Sequence, residues 1–250
     1  MSTAASWKRT TKSRSWFQLQ STGAALSNRP FLSSPLVAQP TLHWSPLVVV
    51  GVTGGIASGK STVCRMLAEL GAAPLNADDV GRAVVQPGEP ALAELIAAFG
   101  PEFLAPDGTL RRRELGARVF SERAALRCLN RITHPRIEAG LRRRLETWAR
   151  CPPTSGVVVL EAAVLIEAGW HRLVDRVIVV SAQPSTQVAR LIAGLGLSSA
   201  EAEARIQAQL SASARIRHAD YVLVGELPLT DLRLQVGRIW QQIRDLGPGG

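Results

Sequence analysis

The sequence predicts an α/β fold, a parallel sheet with helices packed against it, and three observations carry that prediction. Residues 47–52 (LVVVGV) form a short β-branched run of the kind that makes a strand buried on both faces. The run leads into a glycine-rich turn and then into a helical pattern. Further short apolar runs alternate along the chain with helix-length segments, the signature of βαβ units.

Taken in order, residues 61–70 read as a helix with Val63, Met66, Leu67 and Leu70 on one face, closed by Gly71. A weaker strand covers 73–76. Residues 91–150 are helical in character, with breaks expected at Gly100, at Asp107-Gly108 and at His134-Pro135. Residues 157–160 and 177–181 are the next strong strands. Residues 186–210 form an alanine-rich helical pair broken near 194–199. A last strand is expected at 221–224 and a closing helix at 231–243, with no internal repeat.

Length and composition narrow the function classes. A chain of 250 residues with 46% hydrophobic and 20% charged residues fits a globular protein of one sizeable domain. The best apolar stretch, 157–165, is interrupted by Glu161 and falls short of the roughly 18 residues a membrane span needs, so none is expected. Cys64, Cys128 and Cys151 are scattered, with no CxxC pair, which fits a reducing compartment and inert or buried thiols.

The formal net charge is +9, but residues 1–47 hold five of those charges (Lys8, Arg9, Lys12, Arg14, Arg29) and no acid, leaving four for the rest. Such a modestly basic domain suits a phosphorylated small molecule, and no nucleic-acid partner is expected. Residues 1–46 are rich in Ser, Thr and Arg and contain Pro30, Pro35, Pro40 and Pro46. They resemble an organellar transit peptide, mitochondrial ahead of plastid; the alternative is a disordered extension on a cytoplasmic protein. The folded domain is expected to span 47–250.

The glycine-rich turn matches GxxxxGK[ST] in full: Gly54, Gly55, Ile56, Ala57, Ser58, Gly59, Lys60, Ser61, followed by Thr62. Glycines let backbone N–H groups turn inward with no Cβ in the way, and the following helix adds its N-terminus to an anion site. In such a loop the lysine, here Lys60, reaches the β- and γ-phosphates of ATP, and the hydroxyl, here Ser61, ligates Mg2+. None of Asn28, Asn76 and Asn130 is followed by Lys, so no guanine-reading NKxD motif exists and a regulatory GTPase is disfavoured. The size of the chain points instead to a small-molecule kinase.

Beyond the loop, several segments resemble the dephospho-coenzyme A kinase family, in that family's order. They are VGVTGGIASGKSTV, the stretch 76–82 (NADDVGR), 107–112 (DGTLRR), LGARVF, 130–135 (NRITHP), 160–167 (LEAAVLIE), 204–209 (ARIQAQ) and 219–222 (ADYV). The wording EAAVLIEAGW with LGARVF is similar to the kinase half of the bifunctional eukaryotic coenzyme A synthase. The resemblance implies a P-loop NTPase three-layer sandwich with a parallel sheet, a helical acceptor subdomain and a helical lid. It also implies transfer of the γ-phosphate of ATP, with Mg2+, to the ribose 3′-hydroxyl of dephospho-coenzyme A. Asp78 matches the family's base for that hydroxyl; on its own it also reads as a helix N-cap. Arg190 matches the lid arginine. Arg82, Arg112 and His134 fall on acceptor-site positions, although His134 reads equally well as a buried His before the turn at Pro135.

The match departs in places. Asn76 stands where the family usually has Asp, Glu161 where many members have Asp, and Ala163 where Pro is common. Gly194 and Leu195 replace an Arg-Asp pair in the lid, with Gly196 following, so a looser lid is expected. Gly225 stands where many members have Asn beside the adenine. Two other readings remain open: a different small-molecule or nucleotide kinase, and a catalytically weakened ATP-binding homologue.

Overall fold

The computed structural model describes residues 44–246. Among them, five strands form one parallel sheet: β1 (Val48–Gly54), β2 (Ala73–Asn76), β3 (Val157–Glu161), β4 (Arg176–Ser181) and β5 (Tyr221–Val224). Their order across the sheet is β2-β3-β1-β4-β5, so β1 runs between β3 and β4 at the centre. Successive residues of each strand point to opposite faces. Val48, Val50 and Val52 enter one core cluster and Val49 the other; Val157 and Val159 separate in the same way from Val158 and Leu160. Both faces are covered, so the strands are written as unbroken apolar runs.

The helices are α1 (Lys60–Glu69), α2 (Ala77–Ala83), α3 (Pro90–Phe99), α4 (Arg112–Ser121), α5 (Arg123–Arg150), α6 (Pro184–Leu195), α7 (Ser199–Gln207), α8 (Ala212–Ile216) and α9 (Leu229–Asp245). On one face of the sheet Val63 and Leu67 of α1 pack with Val236, Trp240 and Ile243 of α9. On the other, Val80 of α2 packs with Leu141 and Leu145 of α5. Leu115, Val119 and Ala125, backed by Phe99 and Phe103, make a separate small core for the helical subdomain. The segment α6 to α8 lies between β4 and β5 in the chain, where a lid is expected.

Three expectations need correction. The helix expected to break at His134-Pro135 is continuous from Arg123 to Arg150, with Pro135 inside it. Proline removes the donor for the carbonyl of Arg131 and pushes that carbonyl aside. Nearby side chains add bonds to other carbonyls of the same stretch: Thr133 Oγ1 donates to Leu129 O at 2.9 Å and Arg136 Nη1 to Ile132 O at 2.7 Å. On α1 the buried face is Val63, Cys64, Met66 and Leu67, while Leu70 is 43% exposed. The short helix α8 was not foreseen, and α2 only as a start that Asp78 would cap, because five to seven residues carry too little periodicity to read.

Residues ahead of 47 also join the fold: Trp44 is tied to it. Trp44 donates its indole N–H to Leu173 O at 2.9 Å. Residues 1–43, on which the targeting expectation falls, lie outside the described residues. No helix among the described residues is long and apolar enough to cross a membrane.

One close approach sets the position of α2. A Cβ on Gly140 of α5 would stand 2.6 Å from Val80 Cγ1. Gly140→Ala is therefore expected to lower the unfolding free energy by about 1–3 kcal/mol through overpacking, read from a urea melt; an unchanged midpoint would mean the two helices tolerate separation.

Candidate active site

All five strands end at one edge of the sheet, the edge where α/β folds build their sites. At its centre β1 ends at Gly54 and the loop turns into α1. The turn needs a left-handed residue just before the helix, and Gly59 supplies it with φ 101°. Ala57 takes φ 57°, a region where a side chain is uncommon, so the loop must be held from outside. Lys60 Nζ donates to Gly54 O at 3.1 Å and Gly55 O at 2.9 Å, which places the ammonium over the first turn of the loop. Burial holds the Lys60 pKa below the ordinary lysine value; Glu161 opposes that effect and Arg215 adds to it. Ser61 Oγ donates to Glu161 Oε1 at 2.7 Å, so the carboxylate at the end of β3 faces the first turn of α1. Ser58 Oγ is buried with no hydrogen-bond partner.

The lid segment grips this loop directly. Gln187 of α6 donates through Nε2 to Ile56 O at 2.6 Å. Gln209, just past α7, accepts from Ile56 N at 2.8 Å. Both backbone groups of Ile56 are thus taken by glutamine side chains. Arg190 donates to Ala57 O at 3.0 Å and to Gly225 O at 2.7 Å, tying the loop to the residue after β5. A Cβ on Gly225 would overlap the Ser58 carbonyl, so this position closes on the loop only without a side chain. Between them opens a cleft of about 610 Å³ lined by Gly59, Lys60, Thr62, Arg190, Leu227 and Leu229 among others.

The candidate acceptor residues lie on α2, α4 and α5. Asn76 is the N-cap of α2: its Oδ1 accepts from Asp78 N at 2.8 Å. Asp78 is therefore not the cap. Its carboxylate is exposed, makes no hydrogen bond or ion pair among the described residues, and lies near enough to Lys60 to favour the ammonium form. Arg82 pairs with Asp79 at 2.8 Å on the exposed side of α2. Arg112 at the start of α4 donates to Arg82 O at 3.0 Å, and burial together with Arg82 lowers its pKa. These two cations are brought together. His134 is not placed in contact with them; its ring lies 5.3 Å from that of Trp170, and burial lowers its pKa.

Sequence reasoning assigned no role to Gln187, Gln209, Glu167 or Arg215. The first had a readable signal: Gln187 sits one helical turn from Leu191, and both are buried, so a polar residue occupies an apolar stripe. The other three are brought near the loop only by the fold. Gly194 and Leu195 touch little: a Cβ on Gly194 meets nothing, and Leu195 is 59% exposed.

The comparisons with known proteins agree with one another. The family model described as dephospho-CoA kinase matches residues 48–230. A dephospho-CoA kinase of Moorella thermoacetica is 44% identical over 209 residues, covering 82% of this chain and 98% of that protein. One from Leifsonia xyli is 44% identical over 196 residues, covering 78% and 98%. The crystal structure of TT1252 from Thermus thermophilus superposes with a TM-score of 0.64 at 31% identity, covering 78% of this chain and 97% of that one. A Campylobacter jejuni dephospho-CoA kinase, at 22% identity and a TM-score of 0.54, shares the fold.

The state of Lys60 gives a direct test. Its pKa is lowered by burial, and polyphosphate at the loop would raise it again. Between those two values ATP binding takes up a proton, so affinity falls as pH rises through the interval. Titration calorimetry at alkaline pH, in buffers of different ionisation enthalpy, is expected to show that uptake. Lys60→Arg, charged throughout, should abolish it.

Proposed function

The chain belongs to the dephospho-CoA kinase family, and we propose that it transfers the γ-phosphoryl group of ATP to the ribose 3′-hydroxyl of dephospho-coenzyme A, giving coenzyme A. The observation that carries this reading is the meeting, at one sheet edge, of a complete phosphate loop with an uncommitted carboxylate, Asp78, on the next helix. Phosphoryl transfer asks the protein for alignment and charge neutralisation more than for covalent chemistry.

The geometry supports the following roles. Backbone N–H groups of the loop other than that of Ile56, which Gln209 holds, receive the phosphates together with the N-terminus of α1. Lys60 lies over the end of the loop where the β- and γ-phosphates belong. Arg190 lies between that loop and Gly225, and a guanidinium there neutralises charge on the phosphoryl group in flight. Asp78 orients the attacking hydroxyl and accepts its proton. Arg82 and Arg112 form a cationic pair beside α2 for the phosphates of the acceptor. His134, packed against Trp170, is a further candidate for contact with the acceptor.

Magnesium fits the same corner. The Ser61 hydroxyl and the Glu161 carboxylate, 2.7 Å apart, are hard oxygen donors of the sort Mg2+ takes. Bound with ATP, the ion would spread the negative charge of the phosphates.

Two experiments test the reading. Full-length protein with ATP and dephospho-coenzyme A is expected to release ADP in a coupled assay, with Lys60→Ala at background. Asp78→Asn should lose about 10²- to 10⁴-fold in kcat while ATP affinity stays within a few-fold. Turnover on a nucleoside monophosphate but not on dephospho-coenzyme A would point to another kinase, and no turnover above Lys60→Ala would point to a binding protein. The acid-free, basic and Ser/Thr-rich composition of residues 1–46 supports delivery to mitochondria. A reporter fused to those residues is expected to enter isolated mitochondria; one left wholly in the cytosol counts against it.

A further inference from the structure

Arg215 is the charged residue that the site described above leaves unexplained. It lies on α8, is 4% exposed, and its Nε is buried without a hydrogen-bond partner. Its one ion pair, from Nη2 to Glu167 Oε1, is long at 3.2 Å, and the Glu167 side chain is itself 26% exposed. A buried guanidinium with five donors and one partly solvated carboxylate is under-satisfied, and such a charge is costly unless an anion completes it. Its Nη1 lies 3.7 Å from where a Cβ on Gly55 would stand, against the first turn of the phosphate loop. Lys60 Nζ is bonded to the carbonyls of that same turn, Gly54 and Gly55. In a loop of this kind the lysine marks the end that receives the β- and γ-phosphates. Two cations therefore converge on the terminal-phosphate end of the loop.

We propose that Arg215, oriented by Glu167, is a second binding cation for the terminal phosphate, set on the Gly55 side of the loop where Arg190 does not reach. Arg190 serves the Ala57–Gly225 side, next to the cleft. The γ-phosphoryl group would then be held between a lysine from the loop and arginines from two lid helices. The role is electrostatic and bond-neutral: Arg215 keeps its proton throughout.

This inference rests on the phosphoryl-transfer reading, and its test separates the two. Binding of ADP and of the β,γ-imido analogue of ATP is measured by calorimetry, with Mg2+ and without acceptor, in wild type, Arg215→Met and Arg215→Gln. ADP has no terminal phosphate for Arg215 to hold. Both variants are expected to bind ADP within about twofold of wild type and the ATP analogue about tenfold or more weakly, the worth of a charge-assisted hydrogen bond. Arg215→Gln keeps a donor for Glu167 without the charge, so it carries the same expectation should the Met variant fail to fold. Arg215→Lys should recover part of the preference for the triphosphate. Equal weakening of both nucleotides, or an unchanged ratio between them, would overturn the proposal and leave Arg215 as a strut of the lid. Wild-type turnover with dephospho-coenzyme A is scored separately, so its loss would sink the kinase reading without deciding the role of Arg215.

Discussion

The curvature of one short loop is the constraint that the rest of the site is arranged around. To point successive N–H groups at an anion, residues 54–59 must leave the strand geometry of β1 and pass through left-handed conformations at Ala57 and Gly59. A free chain would relax such a turn. Here it is clamped at Ile56 by Gln187 and Gln209, at Ala57 by Arg190, and at Gly54 and Gly55 by Lys60. Three of these four side chains come from the segment between β4 and β5. Loop shape and lid position are thus one structural variable, and a change in either is felt by the other.

Charge follows the same plan. Lys60, Arg190 and Arg215 surround a loop made of backbone, while Glu161 and Glu167 stand just behind it. Each carboxylate moderates a cation that would otherwise be buried alone, which costs several kcal/mol per ion. Neither removes the excess of positive charge, and that excess is what a polyphosphate meets. Cys64 shows how local this field is: burial first, and then Glu161, push its thiol well above the ordinary range, so it stays protonated in the middle of a cationic site.

Much of this was legible in the sequence. The β-branched runs marked the central strands β1, β3 and β4, because strands covered on both faces are largely apolar, while the edge strand β2 (APLN) reads only weakly, and the loop is a local motif whose residues act within a single turn. What escaped was non-local or too short. Gln209 and Arg215 meet Ile56 and Gly55 across about 150 residues of chain, and nothing in their neighbours marks them. The break expected at Pro135 did not occur: α5 runs through it, with Ile132, Ile137, Leu141 and Leu145 on both sides of the proline packed in the core, tertiary burial that propensity does not contain. Taken alone, Asp78 also reads as an N-cap, but Asn76 performs that task for α2, since an Asx residue two places earlier serves equally well.

The same geometry explains why departures from the family's usual residues are borne. Asn76 acts through its side-chain oxygen on a backbone N–H, a task for which Asn and Asp are nearly equivalent. Glu161, longer than Asp by one methylene, still reaches Ser61. Gly225 lets the chain after β5 close onto Ser58, and the carbonyl it presents is the one Arg190 holds. Gly194 and Leu195 lie at the far end of α6, beyond the turn that carries Gln187 and Arg190. The lid therefore keeps its purchase on the loop through the first half of α6 and through Gln209. A missing cation at Gly194 weakens closure only to the extent that closure depends on the end of α6, and the contacts that shape the phosphate loop come from Gln187, Arg190 and Gln209, on either side of that end.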